Sequence, residues 1–132
     1  MNLFQLLATL ILHTLLFSQT GSWVALPNAP VVTRFNDIQF LNESKGWAVN
    51  GWGQIYHTAD GGETWAMQFE QPNSHFRSVG FFDELNGWVG NVGEGEFSAT
   101  DSTNLYFTGD GGLSWSPFND FTGSVPKGLC GI

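Results

Sequence analysis

Thr58-Ala-Asp60-Gly-Gly62-Glu-Thr64-Trp65 returns fifty residues later as Thr108-Gly-Asp110-Gly-Gly112-Leu-Ser114-Trp115. Both copies have the chemistry of a tight turn. A short carboxylate at Asp60 or Asp110 can accept hydrogen bonds from backbone N–H groups of its own loop. Gly62 and Gly112 permit a positive φ. The hydroxyls of Thr58, Thr64, Thr108 and Ser114 can add further bonds. Trp65 and Trp115 then supply a large apolar surface where the next strand starts.

The repetition extends outward from these turns. Phe35-Asn-Asp-Ile38-Gln-Phe40 matches Phe76-Arg-Ser-Val79-Gly-Phe81, and Gly46-Trp47-Ala-Val49 matches Gly87-Trp88-Val-Gly90, both at an offset of 41 residues. The nine extra residues before the second turn fall within Asn91–Asn104, which is rich in Gly, Glu, Ser and Thr and reads as a loop insertion. Alternation and turn residues divide each repeat into four strands. They are expected at about 35–41, 46–51, 53–58 and 63–69, then at about 76–82, 87–91, 104–108 and 113–118. Phe35 is out of phase with Ile38 and Phe40, so it either faces the other side or precedes the strand proper.

The ends of the chain continue the pattern. Trp23-Val-Ala-Leu26 precedes Phe35 much as Trp65 precedes Phe76, so it takes the place of a fourth strand with no first three before it. Leu129-Cys-Gly-Ile132 repeats the opening spacing of a third unit. Four-stranded units at this period are β-propeller blades. The expected class is therefore all-β: a partial β-propeller of about two four-stranded blades (about 35–69 and 76–118) across 23–132. An N-terminal closing strand and the start of a third blade complete it. Propellers need roughly 4–8 blades, so the chain reads as the N-terminal part of a longer protein. Exposed edges would make the piece alone oligomeric or prone to aggregate.

Composition agrees. Of 132 residues 15% are aromatic and only 12% charged, which disfavours disorder. Seven of the thirteen Leu lie in residues 1–20, leaving the rest poor in helix formers. A net charge of −8 argues against nucleic-acid partners and against anionic membrane surfaces. Residues 3–17, LFQLLATLILHTLLF, carry no formal charge and are followed by Ser18–Ser22, the pattern of a secretory signal peptide over 1–22. The helix of that leader is too short and interrupted for a stable membrane anchor. An exported, periplasmic or extracellular protein is implied. Cys130 has no partner for an internal bridge and reads as a buried apolar residue.

The eight-residue turns fit S/T-x-D-x-G-x-S/T-W, the Asp-box or BNR repeat of sialidase-type propellers. Its candidate residues are Thr58, Asp60, Gly62, Thr64 and Trp65, then Thr108, Asp110, Gly112, Ser114 and Trp115. A structural role is expected, because a motif present in every blade is not a site that occurs once. The longer pattern runs FNDIQFLNESKGWAVNGWGQIYHTADGGETW, then FRSVGFFDELNGWVG, continuing to YFTGDGGLSW. It resembles the photosystem II assembly/stability factor family over residues 23–132. That resemblance implies a seven-bladed, non-enzymatic, chaperone-like binder of an unassembled protein subunit. Photosynthetic members carry an Arg-rich patch on one face, and here only Arg34 and Arg77 follow the leader.

No catalytic, cofactor or metal site is expected. The alternative is a glycan-binding or sialidase-like propeller, whose chemistry needs three arginines, a Tyr nucleophile with a Glu partner and an Asp acid. Tyr56 and Tyr106 lie in equivalent strands and read as structural. His57 and His75 lack further ligands. Glu94, Glu96 and Asp101 read as a solvated acidic loop rather than a Ca²⁺ site. The insertion is the first place to look for a partner contact, and it should be the least packed segment.

Overall fold

The computed structural model describes residues 21–124, 126 and 128–131. The expected leader lies almost wholly outside them. The first sheet contains β1 (Phe35–Phe40), β2 (Gly46–Asn50), β3 (Gln54–Thr58) and β4 (Ala66–Glu70). The second contains β5 (Phe76–Phe81), β6 (Gly87–Asn91), β7 (Leu105–Thr108) and β8 (Ser116–Pro117). Within each sheet the strands are antiparallel and follow chain order, as in propeller blades. The first hairpins are set by side chains. Asn42 Oδ1 accepts from the N–H groups of Ser44 and Lys45, and Asp83 Oδ1 from those of Leu85 and Asn86.

The core lies between the sheets. Trp47, Val49, Ile55 and Phe69 project from the first onto Phe76, Val79, Phe81, Val89, Tyr106 and Trp115 of the second. The Trp47 and Phe81 rings stack with centroids 3.6 Å apart. Their approach depends on Gly87, where a Cβ would sit 2.6 Å from the Phe81 ring. A polar seam flanks the core. Asp37 Oδ2 accepts from Val79 N–H at 2.9 Å and Gln39 Oε1 from Phe81 N–H at 2.5 Å, so β1 side chains bind the β5 backbone.

Two bulges resolve the phase of Phe35. The ladder slips between Phe35 and Asp37, and again between Phe76 and Ser78. Each slip leaves one residue unpaired, Asn36 or Arg77. Phe35 therefore shares a face with Ile38, and Phe76 with Val79.

Several expectations need correction. The fourth strands begin at Ala66 and Ser116, not at 63 and 113, because hydrogen bonds to Asp60 and Asp110 hold residues 64 and 114 in the turns. No strand forms at Trp23–Leu26, since each sheet already has four strands and none offers this segment a ladder. Trp23 is fully exposed. Leu26 nevertheless lies against Gly62, as Gln68 lies against Gly112, so the segment occupies the expected place without the pairing. The described residues of the third unit are seated correctly but form no strand. Leu129 N–H donates to Asn91 O, and Gly128 lies on Val92, much as His75 lies on Gly51. Cys130 is exposed rather than buried, because among the described residues no second layer covers that segment. Trp115 is buried between the sheets, but Trp65 is only half-buried, because among the described residues no third sheet covers its face.

Candidate functional site

The bulges also build the most distinctive corner of the molecule. A bulge bends its strand and re-aims the extra side chain, and here it turns Asn36 and Arg77 to one rim. The Asn36 amide donates to Phe76 O at 2.6 Å and lies 3.2 Å from His75 Nε2. With the amide as donor, Nε2 accepts, which requires a neutral imidazole. Burial, followed by the charges of Arg77 and Arg34, holds the His75 pKa below its ordinary value, in keeping with that state. Arg34 donates to Asn36 Oδ1 at 3.2 Å. Arg34 and Arg77 thus line one cavity of about 330 Å³ with Phe35 and Asn36.

Phe97, from the insertion, completes the rim. Its ring stacks on His75 at 4.5 Å, and the Arg77 guanidinium lies 5.7 Å from its centroid, within cation–π range. Phe97 is nonetheless 63% exposed. Its φ is 49° and that of Ser98 is 63°, a left-handed backbone uncommon for a bulky residue. On its other side a second cavity of about 330 Å³ is bordered by Trp52, Glu70 and Asn73. The rim presents two guanidinium groups, a neutral imidazole and two exposed aromatic rings. It can take a carboxylate beside an apolar side chain.

The insertion is not the least packed segment that was expected. Val92, Gly93 and Ala99 are buried. Asp101 accepts hydrogen bonds from Tyr106 Oη at 2.7 Å, from the Thr103 N–H at 2.9 Å, from Asn91 Nδ2 at 3.2 Å and from Ser74 Oγ. Burial raises the Asp101 pKa but these bonds outweigh it, leaving the carboxyl below its ordinary value. Burial and the Asp101 bond push Tyr106 up to about 12. Asp101 thus ties the insertion to Ser74 and Tyr106 outside it, while Glu94 and Glu96 are exposed. Among the described residues, no group of three or more His, Cys, Asp or Glu is placed to hold a metal.

The repeated turns are nearly superimposable in their bonding. Asp60 Oδ1 accepts from Thr64 N–H at 2.9 Å and from Thr58 Oγ1 at 2.8 Å, and Oδ2 from Thr64 Oγ1 at 2.5 Å. Asp110 makes the same bonds to Ser114 and Thr108. The Thr64 and Ser114 hydroxyls, then their backbone N–H groups, hold both carboxyls at about 2. Gly62 and Gly112, at φ 94° and 89°, turn their N–H groups onto Thr58 and Thr108 Oγ1. Trp65 Nε1 donates to Gly62 O at 3.1 Å, whereas Trp115 Nε1 is buried with no partner among the described residues. His57 packs on Trp47 at 5.0 Å, and Tyr56 on Phe35 at 5.6 Å.

No family model and no curated protein matches the chain. A solved structure described as "YCF48 bound to D1 peptide" does, at 27% identity and a TM-score of 0.55. The match covers 76% of this chain. The chain is a partial β-propeller. It spans about a third of that neighbour's length, 32%. The sequence had singled out Arg34, Arg77, His75 and the insertion separately. It did not bring them together, nor did it point to Asn36, Trp52 or Phe97. The one signal was the broken phase of F-x-x-I-x-F, which marks the bulges.

Proposed function

We propose that the chain is part of a non-enzymatic, protein-binding propeller scaffold resembling the photosystem II assembly/stability factors. It takes a peptide segment of its partner at the Arg34–Asn36–His75–Arg77–Phe97 rim. The observation that carries this reading is the pair of equivalent bulges, which gathers both arginines onto one cavity beside an exposed, strained Phe97. The solved neighbour, described as bound to a peptide, adds support. The favoured ligand is a peptide with a carboxylate for the arginines and an apolar residue for Phe97 and Trp52.

The two Asp turns are structural Asp-boxes in this reading. A carboxyl held at about 2 carries no proton near neutral pH and so is a poor general acid. Export to the periplasm or beyond rests on the apolar leader of residues 3–17.

An array of short acidic, neutral and basic peptides tests the proposal. The protein should retain acidic, aromatic-containing peptides, and added salt should weaken them. Arg77→Ala and Phe97→Ala should each lower retention about tenfold or more. Equal retention of all peptide classes, or variants that bind like wild type, would exclude this rim as the site.

A further inference from the structure

Among the described residues, Asn73, Phe97 and Ser98 are the non-glycine residues with positive φ, at 70°, 49° and 63°. All three line the second cavity beside the rim, together with Trp52 and Glu70. Left-handed backbone at such residues costs free energy and persists where the surroundings impose it, as they do at ligand sites. Here the surroundings are visible. The Trp52 turn passes through Gly53, where a Cβ would fall 2.1 Å from Gln71 O, and Gln71 N–H donates to Gly53 O at 2.9 Å. The insertion is tied to the same wall, Thr100 N–H donating to Asn73 O at 3.0 Å. The cavity of about 330 Å³ is therefore built before any ligand arrives.

Its chemistry is that of a cation site. Trp52 and Phe97 leave 59% and 63% of their surface in water. Aromatic faces attract cations, and the indole does so best. Glu70 supplies the opposite charge. Gln54, buried across the ladder from Glu70, donates Nε2–H to Glu70 Oε1 at 2.8 Å and is itself held by Asn50 Nδ2 at 2.9 Å. This fixes the carboxylate without neutralising it. Among the described residues the one ion pair, Lys45–Glu84, does not involve it.

We infer that this cavity seats an arginine side chain of the bound peptide, its guanidinium on Glu70 and against the Trp52 ring. The inference rests on the peptide-binding reading above and narrows it. The methylene stem supplies the apolar contact with Phe97 and Trp52. The planar guanidinium suits both a carboxylate and an aromatic face. The Arg34–Arg77 cavity on the other side of Phe97 takes the peptide's carboxylate, so the two cavities together select a segment carrying both charges. Net charge agrees: at −8 the chain repels a wholly acidic ligand, and one basic residue offsets that.

Labelled peptides test this by fluorescence anisotropy. Each carries one aspartate and, at a varied short spacing, either arginine or its neutral isostere citrulline. At the best spacing the arginine peptide should bind wild type about tenfold tighter than its citrulline twin. Glu70→Gln, which keeps an oxygen for Gln54, should bring that ratio to about one. Trp52→Leu, which keeps apolar bulk without the π face, should narrow it. Arg77→Ala should weaken both peptides alike and leave the ratio. Equal binding of the twins to wild type, or a ratio that survives Glu70→Gln, would overturn the inference. If Arg77→Ala still weakened both twins in that case, the rim reading would stand without it. If neither twin bound at any spacing, the rim reading would fall and the inference with it.

Discussion

Trp115→Ala and Trp65→Ala make the same chemical change at equivalent positions of the two repeats, yet they should differ in cost. Trp115 is only 8% exposed and lies against Phe69 and Phe81. A buried aromatic hides about 150–250 Å², worth about 4–6 kcal/mol at about 25 cal/mol per Å², and comparable truncations cost about 3–5 kcal/mol. Its Nε1 has no partner among the described residues, so removing the indole also relieves a desolvated donor worth about 1–3 kcal/mol. The net expectation is about 2–4 kcal/mol. Trp115→Phe keeps most of the contact and drops the donor, so it should stay within about 1 kcal/mol of wild type. Trp65 is half-buried and loses one N–H bond to Gly62, so Trp65→Ala should cost about 1–2 kcal/mol. Urea unfolding at low protein concentration, with unchanged slopes, measures all three. The reasoning fails if Trp65→Ala costs as much as Trp115→Ala, or if Trp115→Phe costs as much as alanine.

Gly87→Ala should destabilise by about 1–3 kcal/mol, because the new methyl meets the Phe81 ring stacked on Trp47; thermal melting checks it. Deleting only Glu94–Ser98 should preserve the fold, whereas Asp101→Ala should cost about 1–3 kcal/mol by stranding its buried hydrogen-bond partners. Chemical denaturation of the two variants separates these outcomes. Asp60 and Asp110 sit at about 2 against an ordinary 3.8, so their contribution to stability is full above about pH 4 and is lost as pH falls toward 2. The double variant Asp60→Asn/Asp110→Asn should flatten the acid limb of a stability–pH curve, and an unchanged limb would show that other groups drive it.

The repeat itself made most of the architecture readable. Matching turns, matching Phe and Gly-Trp segments and a single insertion placed all eight strands in their order. The strand starts after the Asp turns were misplaced because side-chain capture of residues 64 and 114 leaves no mark in the alternation. Trp65 and Trp115 look identical in sequence, and their unequal burial depends on which sheet face has a neighbour. The packing of the insertion hangs on Asp101, one acid among several, whose partner Ser74 lies 27 residues earlier in the chain. The rim was the least legible feature. Asn36 and Arg77 reach the rim because two ladders slip by one residue, and Phe97 because the insertion folds back on His75; a slip changes side-chain direction without changing composition.

Amide chemical-shift mapping with an acidic, aromatic-containing peptide from the array tests the proposed function most directly. The largest shifts should fall on Asn36, His75, Arg77 and Phe97, and Arg77→Ala should suppress them. Shifts centred on the Thr58–Trp65 and Thr108–Trp115 turns, with the rim unmoved, would contradict the account.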